Sequence, residues 1–272
     1  QSHIFEKTTD PLASLPPEQP DGVVRVGVST ARLGRDMLAQ QDPPLKFAWV
    51  ERGNPLAQNP ETHKVRAAFR ALDFRVVVEQ FMTDTALEAD IILPAKNMFE
   101  QTDVIGAYWH HYLQLRPRVL EPAGEVKPET EIFRALAQKL GFMDADLAAE
   151  IPGPEDENVR QWLNNRLAPF NLSLDDLGEG PVSAPGGEDV VFADGVYNTP
   201  SGRIELLSAE SLERWGTDPL PRPSLPRESA VQPDHDPATP LQMMTPNTKN
   251  RIHSQFGNLA LIKAFDPEPE VQ

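Results

Sequence analysis

Residues 45–94 read LKFAWVERGNPLAQNPETHKVRAAFRALDFRVVVEQFMTDTALEADIILP, and this stretch decides the fold. It opens with the mostly apolar segment LKFAWV, which runs into the turn-forming residues ERGNP and so predicts a short buried strand. The segment FRVVVE at residues 74–79 is rich in β-branched residues and predicts a second strand. The segment DIILP at residues 90–94 predicts a third strand, which ends at its proline.

The segment NPETHKVRAAFRAL at residues 59–72 predicts a helix between the first two strands. Asn59 is a good capping residue, Pro60 suits the first helical position, and Glu61 suits the positive end of the helix dipole. Apolar residues then recur every three or four positions and predict one buried stripe, formed by Val65, Phe69 and Leu72.

A shorter helix is predicted before the third strand, because Thr85 and Glu88 have the spacing of a capping box. Strands and helices therefore alternate along this stretch, which is typical of a parallel sheet with right-handed crossovers. The sequence predicts an α/β fold with a Rossmann-like parallel sheet and flanking helices.

Open parallel sheets bind their ligands outside the carboxyl ends of the strands. Polar residues follow those ends here: Gly53 and Asn54, then Glu79, and further on Gln101. Gly53 would let the backbone approach a ligand, Asn54 can donate and accept, and Glu79 can accept two hydrogen bonds from a ribose diol or a guanine edge. On spacing alone the plainer interpretation is preferred, in which Asn54 caps a turn and Glu79 is a solvated strand end. No G-x-G-x-x-G follows any strand, so a nicotinamide site is weakly supported.

Composition restricts the class of protein. The 272 residues suffice for one large or two small domains, and they are 39% hydrophobic and 24% charged, as in soluble globular proteins. The net charge of −16 argues against binding to nucleic acid or anionic membranes, because no basic field attracts phosphate. No apolar run approaches the ~20 residues of a membrane span. The first ten residues resemble no signal peptide, and zero cysteines leave the compartment undetermined.

Two further helices and a proline-rich connector are predicted beyond the sheet. EIFRALAQKLGF at residues 131–142 predicts an amphipathic core helix that ends at Gly141, with its buried stripe formed by Ile132, Leu136 and Leu140. PEDENVRQWLNNRL at residues 154–167 predicts a surface helix. Prolines interrupt residues 218–240 and favour an extended connector, or a disordered linker.

An ordered set of motifs supplies a resemblance. The stretch 46–95 contains a GNP turn, then a valine-rich strand ending in an acid, then T-x-T-A-x-x-A-D-x-x-L-P. PSGRIELLS follows at residues 200–208, and MMTPNTKNRIHSQFGN at residues 243–258. In this order the motifs resemble the molybdopterin oxidoreductases, the dimethyl sulfoxide reductase superfamily, in which the last motif opens a C-terminal β-barrel domain.

The resemblance implies a cofactor, namely molybdenum (or tungsten) bis(molybdopterin guanine dinucleotide). By position, Asn54 would contact it from the first loop, Val78 and Glu79 would hold a guanosine end, and the barrel opening would wrap pterin and phosphate groups. Arg251 could fork onto a pyrophosphate, and His253 would contact the cofactor. The full implied set is Gly53, Asn54, Val78, Glu79, Gln101, Glu129, Thr245, Asn247, Arg251, His253 and Ser254. The adjacent His110 and His111 point to opposite faces of a strand, which disfavours a shared metal site.

The sequence also departs from the family pattern. The family's N-terminal region, with its iron–sulfur cysteines and metal-ligating residue, has no counterpart here, so no catalytic or metal-ligating residue is assigned. Gln101 stands where many relatives carry Lys and Glu79 where many carry Asp, which leaves the substrate open. The resemblance implies one part of a catalytic subunit that is inactive alone. Its partners would be the rest of that subunit and an iron–sulfur electron-transfer subunit, without nucleic acid and without a membrane span.

Four regions are expected along the chain. Residues 1–22 form an N-terminal segment, 23–143 the α/β domain, 144–240 a helical and proline-rich connecting region, and 241–272 the truncated beginning of a dinucleotide-binding β-barrel domain. Two other functions stay open at this stage: a nucleotide-binding module without molybdenum, and a non-catalytic structural subunit.

Overall fold

The computed structural model describes residues 27–141, 150–185, 190–223, 225, 229, 231–232, 236–239, 241 and 249–265. The chain divides into two compact units, residues 1–95 and residues 96–272. The predicted domain boundaries at residues 22, 143 and 240 remain predictions beside this division.

The first unit is built on a parallel sheet of β1 (Phe47–Glu51), β2 (Phe74–Glu79) and β3 (Ile91–Pro94), in that order. Both neighbouring pairs are parallel, which confirms the predicted α/β arrangement. The remaining elements are a 3-10 helix at Thr30–Arg32, α1 (Leu33–Ala39), α2 (Pro55–Gln58), α3 (Thr62–Arg70) and a 3-10 helix at Ala86–Glu88.

The central strand is buried on both of its faces. Val76, Val77 and Val78 are consecutive and all buried. Because consecutive side chains on a strand point to opposite faces, this run requires cover on each side of the sheet. Ala48 and Val50 of β1 meet the helices in an apolar cluster that also contains Leu33, Met37, Leu56, Val65 and Phe69.

The predicted helix of residues 59–72 begins later than its capping residues suggested. Asn59 follows α2 and adopts an extended conformation, because the residue before a proline is driven out of the helical region. Its side-chain amide donates to the carbonyl of Thr30 at 2.6 Å instead of capping α3. Glu61 occupies the N-cap position with φ of +57° and makes no side-chain cap; its carboxylate pairs with Lys64 and Arg35.

Close helix packing depends on one glycine. Gly34 of α1 lies against the backbone of α3, and a Cβ on it would stand 2.4 Å from the nitrogen of Val65 and 2.5 Å from the carbonyl carbon of Lys64. Real Cβ atoms do not approach backbone so closely, so an alanine would force α1 away from α3.

Gly34→Ala is expected to lower the free energy of unfolding by about 1–3 kcal/mol or more, because the overpacked contact is made by backbone that cannot rotate away. The helix propensity of alanine acts in the opposite direction by at most about 1 kcal/mol, so the clash decides the sign. Urea unfolding measures the effect. Gly27→Ala is the control, since nothing lies within 4 Å of its added Cβ; equal stability of the two variants would contradict the packing.

Charged contacts join α3 and β2 to the turn before β3. Glu88 accepts two hydrogen bonds from Arg70, each of 2.7 Å, and pairs with Arg66 at 3.1 Å. Arg75 donates to both carboxylate oxygens of Asp90, at 2.9 and 2.8 Å. The hydrogen bond from Arg70 is the main cause that holds the pKa of the Glu88 carboxyl below its usual value.

A carboxyl with a lowered pKa in the folded state stabilises the protein above its unfolded pKa, and the contribution is lost as pH falls through the folded pKa. Glu88→Gln is therefore expected to lower stability at neutral pH and to converge with the wild type below the reference pKa of 4.5. Urea unfolding against pH tests this, with Asp73→Asn as the control. Asp73 forms an exposed pair with Lys46, which contributes at most about 1 kcal/mol. A pH-independent deficit in Glu88→Gln would contradict the linkage.

The second unit contains an antiparallel sheet of β4 (Asp103–Ala107), β5 (His110–Arg116) and β6 (Val182–Ser183). Its helices are α4 (Glu129–Leu140), α5 (Asp156–Leu167), a 3-10 helix at Ala168–Phe170, α6 (Leu174–Gly178), α7 (Ala209–Trp215) and α8 (Ala260–Phe265). An apolar cluster joins the sheet to α5 and α6 through Leu113, Leu163, Leu167, Leu174 and Leu177.

Both helices predicted in this unit are confirmed, as α4 and α5. Gly141 ends α4 with φ of +74°, as its predicted role as a stop requires. The predicted buried stripe of α4 is wrong, because only Ile132 is buried, while Leu136 and Leu140 are 37% and 56% exposed. Periodicity locates an apolar face but does not tell how much of it another element covers.

Other expectations for the second unit concern its histidines and its end. His110 and His111 are consecutive on β5, and no group of three or more potential metal-ligating side chains occurs within the described ranges. Of the predicted barrel opening, residues 242–248 lie outside the described part, and residues 249–265 hold α8 and one antiparallel bridge, Ile252 with Gln255. No helix in the described part of the chain is long and apolar enough to cross a membrane.

Candidate functional site

The carboxyl ends of β1 and β2 lie side by side at one edge of the parallel sheet, because Glu51 pairs with Val78. Arg52 follows β1 with φ of +54°, a left-handed conformation that turns the chain sharply. The turn brings Gly53 and Asn54 to this edge, where β2 ends in Glu79. The structure thus brings three of the predicted site residues to one edge.

Asn54 is the most constrained of these residues. It is 7% exposed, and its side-chain oxygen accepts hydrogen bonds from the hydroxyl of Thr85 at 2.7 Å and from the Thr85 backbone N–H at 3.3 Å. Its own backbone N–H donates to the side-chain oxygen of Gln58 at 2.9 Å. The loop after β1 is therefore tied to the loop between β2 and β3.

Asn54 occupies the N-cap position of α2 but makes no side-chain cap. The amide of Leu56, which a capping side chain would normally satisfy, instead donates to the hydroxyl of Thr85 at 3.2 Å. Thr85 therefore caps α2 from outside the helix. Asn54 is the N-cap residue, as the plainer interpretation expects, but it caps through its backbone carbonyl, which accepts from the N–H groups of Ala57 and Gln58.

The side-chain nitrogen of Asn54 makes no hydrogen bond to the residues that the structure describes; the bonds of its side chain are those to its oxygen. The fold does not use the two donors of this largely buried residue, and they remain able to bond water or a ligand. The site therefore offers a fixed pair of donors at the edge where parallel sheets bind ligands.

Thr85 is the site residue that sequence reasoning missed. Its spacing to Glu88 predicted a capping box, but Thr85 is fully buried and bonds Asn54 and Leu56, while the Thr83 hydroxyl accepts from the backbone N–H of Ala86 at 3.2 Å. The sequence did carry a signal, since both threonines belong to the T-x-T-A motif. A pairing across 31 residues is not visible from local spacing.

Gly53 is not required by the folded chain itself. Its φ lies outside the left-handed region, and an added Cβ would meet only the carbonyl of Glu51 at 3.7 Å and the side-chain oxygen of Gln58 at 3.9 Å, which are ordinary contacts. The strained position of the turn is Arg52. A requirement for glycine would come from a ligand that closes on this backbone.

Glu79 and Val78 differ in what they expose. Val78 is buried in the central strand, so its side chain supports the strand and does not face solvent. Glu79 is half-buried, and one of its carboxylate oxygens accepts from the backbone N–H of Gln80 at 2.7 Å. Its other oxygen accepts no hydrogen bond from the described residues and is available to a donor.

The remaining predicted site residues belong to the second unit. Gln101 is half-buried, and Glu129 is the first residue of α4. The chain turns at residues 252–255, where the N–H of Gln255 donates to the carbonyl of Ile252 at 2.8 Å and His253 has φ of +51°. Arg251 and Ser254, beside this turn, are half-buried. Thr245 and Asn247 lie outside the described residues.

This chain is similar in sequence to a known family and to known proteins. Residues 23–139 match the family model of the molybdopterin oxidoreductases. The chain is 34% identical over 260 residues to the probable oxidoreductase YoaE of Bacillus subtilis (strain 168), which covers 94% of this chain and 36% of the relative. Residues 23–139 thus belong to the molybdopterin oxidoreductase family. Its members carry a molybdenum–pterin cofactor.

Two further proteins are similar to this chain. The dimethyl sulfoxide/trimethylamine N-oxide reductase of Cereibacter sphaeroides is 30% identical over 243 residues, which is 80% of this chain and 29% of that protein. The structure of acetylene hydratase from Pelobacter acetylenicus superposes with a TM-score of 0.60 at 24% identity, over 75% of this chain and 27% of the other. The chain thus spans about a third of the length of the curated relatives, with 36% and 29% of these two.

The residues at the sheet edge fit a molybdopterin cofactor. Pterin dinucleotides are rich in acceptor oxygens, and Asn54 presents two unused donors. The open side of Gly53 leaves room for close approach, and Glu79 keeps one carboxylate oxygen for a donor such as a guanine amine. A donor, open space and an acceptor therefore occur together at one edge of the parallel sheet.

Gly53→Ala is expected to leave the free energy of unfolding unchanged or to raise it by up to about 1 kcal/mol, since its backbone conformation suits alanine and the unfolded chain loses freedom. The same variant is expected to retain less cofactor, because the methyl group occupies the space of a ligand. Thermal unfolding and the molybdenum content of purified enzyme measure the two effects. A destabilised variant would contradict the local geometry, and full cofactor content would contradict ligand approach at Gly53.

Proposed function

We propose that this chain is a cofactor-binding portion of a molybdenum (or tungsten) oxidoreductase that holds bis(molybdopterin guanine dinucleotide). The observation that carries the proposal is the buried Asn54 amide, whose oxygen is held by Thr85 and whose donors are unused among the described residues. The family membership of the chain supplies the kind of ligand that such donors would meet.

In this proposal, the bound metal performs the redox or oxygen-atom transfer, and the protein supplies binding and orientation. Asn54 donates to a cofactor oxygen from the loop after β1. The carboxylate of Glu79 accepts from the guanine edge or the ribose diol at the end of β2. Glu79 stands on a strand end, and Asn54 lies in the short turn after β1, where Thr85 holds its side chain.

The second unit carries further residues that we propose as cofactor contacts. Gln101 and Glu129 contact the cofactor, and the opening of the barrel domain wraps its pterin and phosphate groups with Thr245, Asn247, Arg251, His253 and Ser254. A guanidinium suits this task because its planar fork binds two phosphate oxygens at once. The proline-rich region 218–240 would connect this segment to the α/β part.

The proposal confines turnover to the intact enzyme. No residue of this chain is assigned as a metal ligand, so the remainder of the catalytic subunit would supply that ligand and the rest of the cofactor's enclosure. An iron–sulfur cluster would lie in that remainder, and an iron–sulfur subunit would exchange electrons with it. Substrate identity belongs to those parts too.

Metal analysis combined with guanine released by acid tests the proposed function on purified enzyme. Molybdenum or tungsten together with guanine, near two guanines per metal in a bis(dinucleotide) cofactor, is the expected result. Guanine without metal would show a nucleotide-binding module instead. The absence of both from enzyme made in cofactor-producing cells would show a structural subunit and contradict the proposal.

Glu79→Gln is expected to lower cofactor affinity by roughly ten- to a hundredfold, because a charge-assisted hydrogen bond contributes about 1.5–3 kcal/mol. Guanine content after extensive dialysis measures this. Glu51→Gln is the matched control, since Glu51 ends the neighbouring strand, is exposed and accepts from the Trp49 indole at 3.2 Å. Equal guanine content in Glu79→Gln and wild type would remove Glu79 from the site.

A further inference from the structure

We infer that Thr85 is a positioning residue, which fixes the polarity of the Asn54 amide so that the sheet edge presents two hydrogen-bond donors and takes an acceptor oxygen of the cofactor. This inference rests on the proposed function. It goes further because it assigns a task to a residue that does not touch the ligand and defines the kind of ligand atom to which Asn54 donates.

The Thr85 hydroxyl accepts one hydrogen bond and donates another. A threonine hydroxyl has one proton and two acceptor lone pairs. The backbone N–H of Leu56 donates to the Thr85 hydroxyl at 3.2 Å, so this contact uses a lone pair. The hydroxyl proton is then free for the 2.7 Å contact with Asn54, in which Thr85 is the donor.

The Asn54 side-chain atom that faces Thr85 is its carbonyl oxygen. The backbone N–H of Thr85 also points at the facing atom of Asn54, at 3.3 Å, and a backbone N–H can only donate. An atom that meets two donors must be the carbonyl oxygen, because the NH₂ group of an amide does not accept. The hydrogen-bond network therefore settles an orientation that side-chain shape alone leaves ambiguous.

A flip of the Asn54 side-chain amide would cost free energy. Thr85 is fully buried and β-branched, so its hydroxyl has little freedom to turn away. A flipped Asn54 would set its NH₂ against the backbone N–H of Thr85, and both that N–H and the Thr85 hydroxyl proton would lose their acceptor. That penalty corresponds to roughly tenfold or more in the flip equilibrium. The edge is thus preorganised as a donor before any ligand arrives.

The orientation of the Asn54 amide restricts the kind of ligand atom that it can bind. Two outward-facing N–H donors attract an oxygen or nitrogen lone pair and repel an amine or ammonium group. A pterin dinucleotide offers oxygen acceptors on its phosphates, ribose and ring carbonyls. The same loop position with a reversed amide, or with a carboxylate, would reject those atoms.

Three variants separate positioning from simple support of the fold. Thr85→Val keeps the shape but removes both the donor to Asn54 and the acceptor for Leu56, whereas Thr85→Ser keeps the hydroxyl. Asn54→Asp keeps an acceptor toward Thr85 and replaces the outward donors by an acceptor. Purified enzyme of each variant is assayed for guanine and molybdenum retained per chain after dialysis.

The expected loss of cofactor affinity is about tenfold for Thr85→Val and at least as large for Asn54→Asp, with Thr85→Ser within about twofold of wild type. If Thr85→Val fails to fold, Asn54→Asp carries the test, because it preserves the bonds from Thr85. Wild-type retention in Asn54→Asp, or equal losses in Thr85→Val and Thr85→Ser, would overturn the inference.

A second measurement is independent of the cofactor. In the cofactor-free 272-residue chain, the side-chain amide of Asn54 is expected to give one distinct pair of NMR resonances in wild type and Thr85→Ser. In Thr85→Val the pair should shift or average. An averaged amide in the wild type would defeat the positioning role alone, whereas wild-type enzyme without metal and guanine would defeat the proposed function alone.

Discussion

The burial of β2 on both faces is the constraint on which the first unit depends. Val76, Val77 and Val78 cannot face solvent without large cost, so β1 and β3 must flank the strand and helices must cover the sheet. Because all three strands run parallel, their carboxyl ends meet at one edge. The burial of these three valines thereby determines the edge of the sheet at which the polar loop residues lie.

The polar loops at that edge are held by a second, smaller set of interactions. Thr85 satisfies Leu56 and Asn54 at once, and so joins the loop after β1 to the loop before β3. The arrangement leaves the two side-chain donors of Asn54 unused among the described residues. Under the proposed function, a pterin cofactor would meet these donors, because it offers many acceptor oxygens.

The sequence predicted those parts of the structure that local patterns determine. The valine-rich β2, its parallel neighbours and Gly141 at the end of α4 follow from residue types and short spacings. The start of α3 was misjudged because Asn59 precedes a proline, and the resulting extended conformation outweighs its capping preference.

The parts that sequence could not predict depend on distant contacts. The exposure of Leu136 and Leu140 depends on which elements pack against α4. Helical periodicity does not indicate which elements these are. The task of Thr85 depends on a partner 31 residues away. Asn54 and Glu79 were found from strand ends, but the direction of the Asn54 amide required its hydrogen-bond partners.

A structure of the cofactor-loaded enzyme tests the account most directly, through the surroundings of the Asn54 side chain. The account predicts a cofactor oxygen within about 3.2 Å of the Asn54 side-chain nitrogen, with its side-chain oxygen still bonded to Thr85. A cofactor bound away from the carboxyl edge of β1 and β2, or an Asn54 nitrogen that meets only solvent or protein, would contradict it.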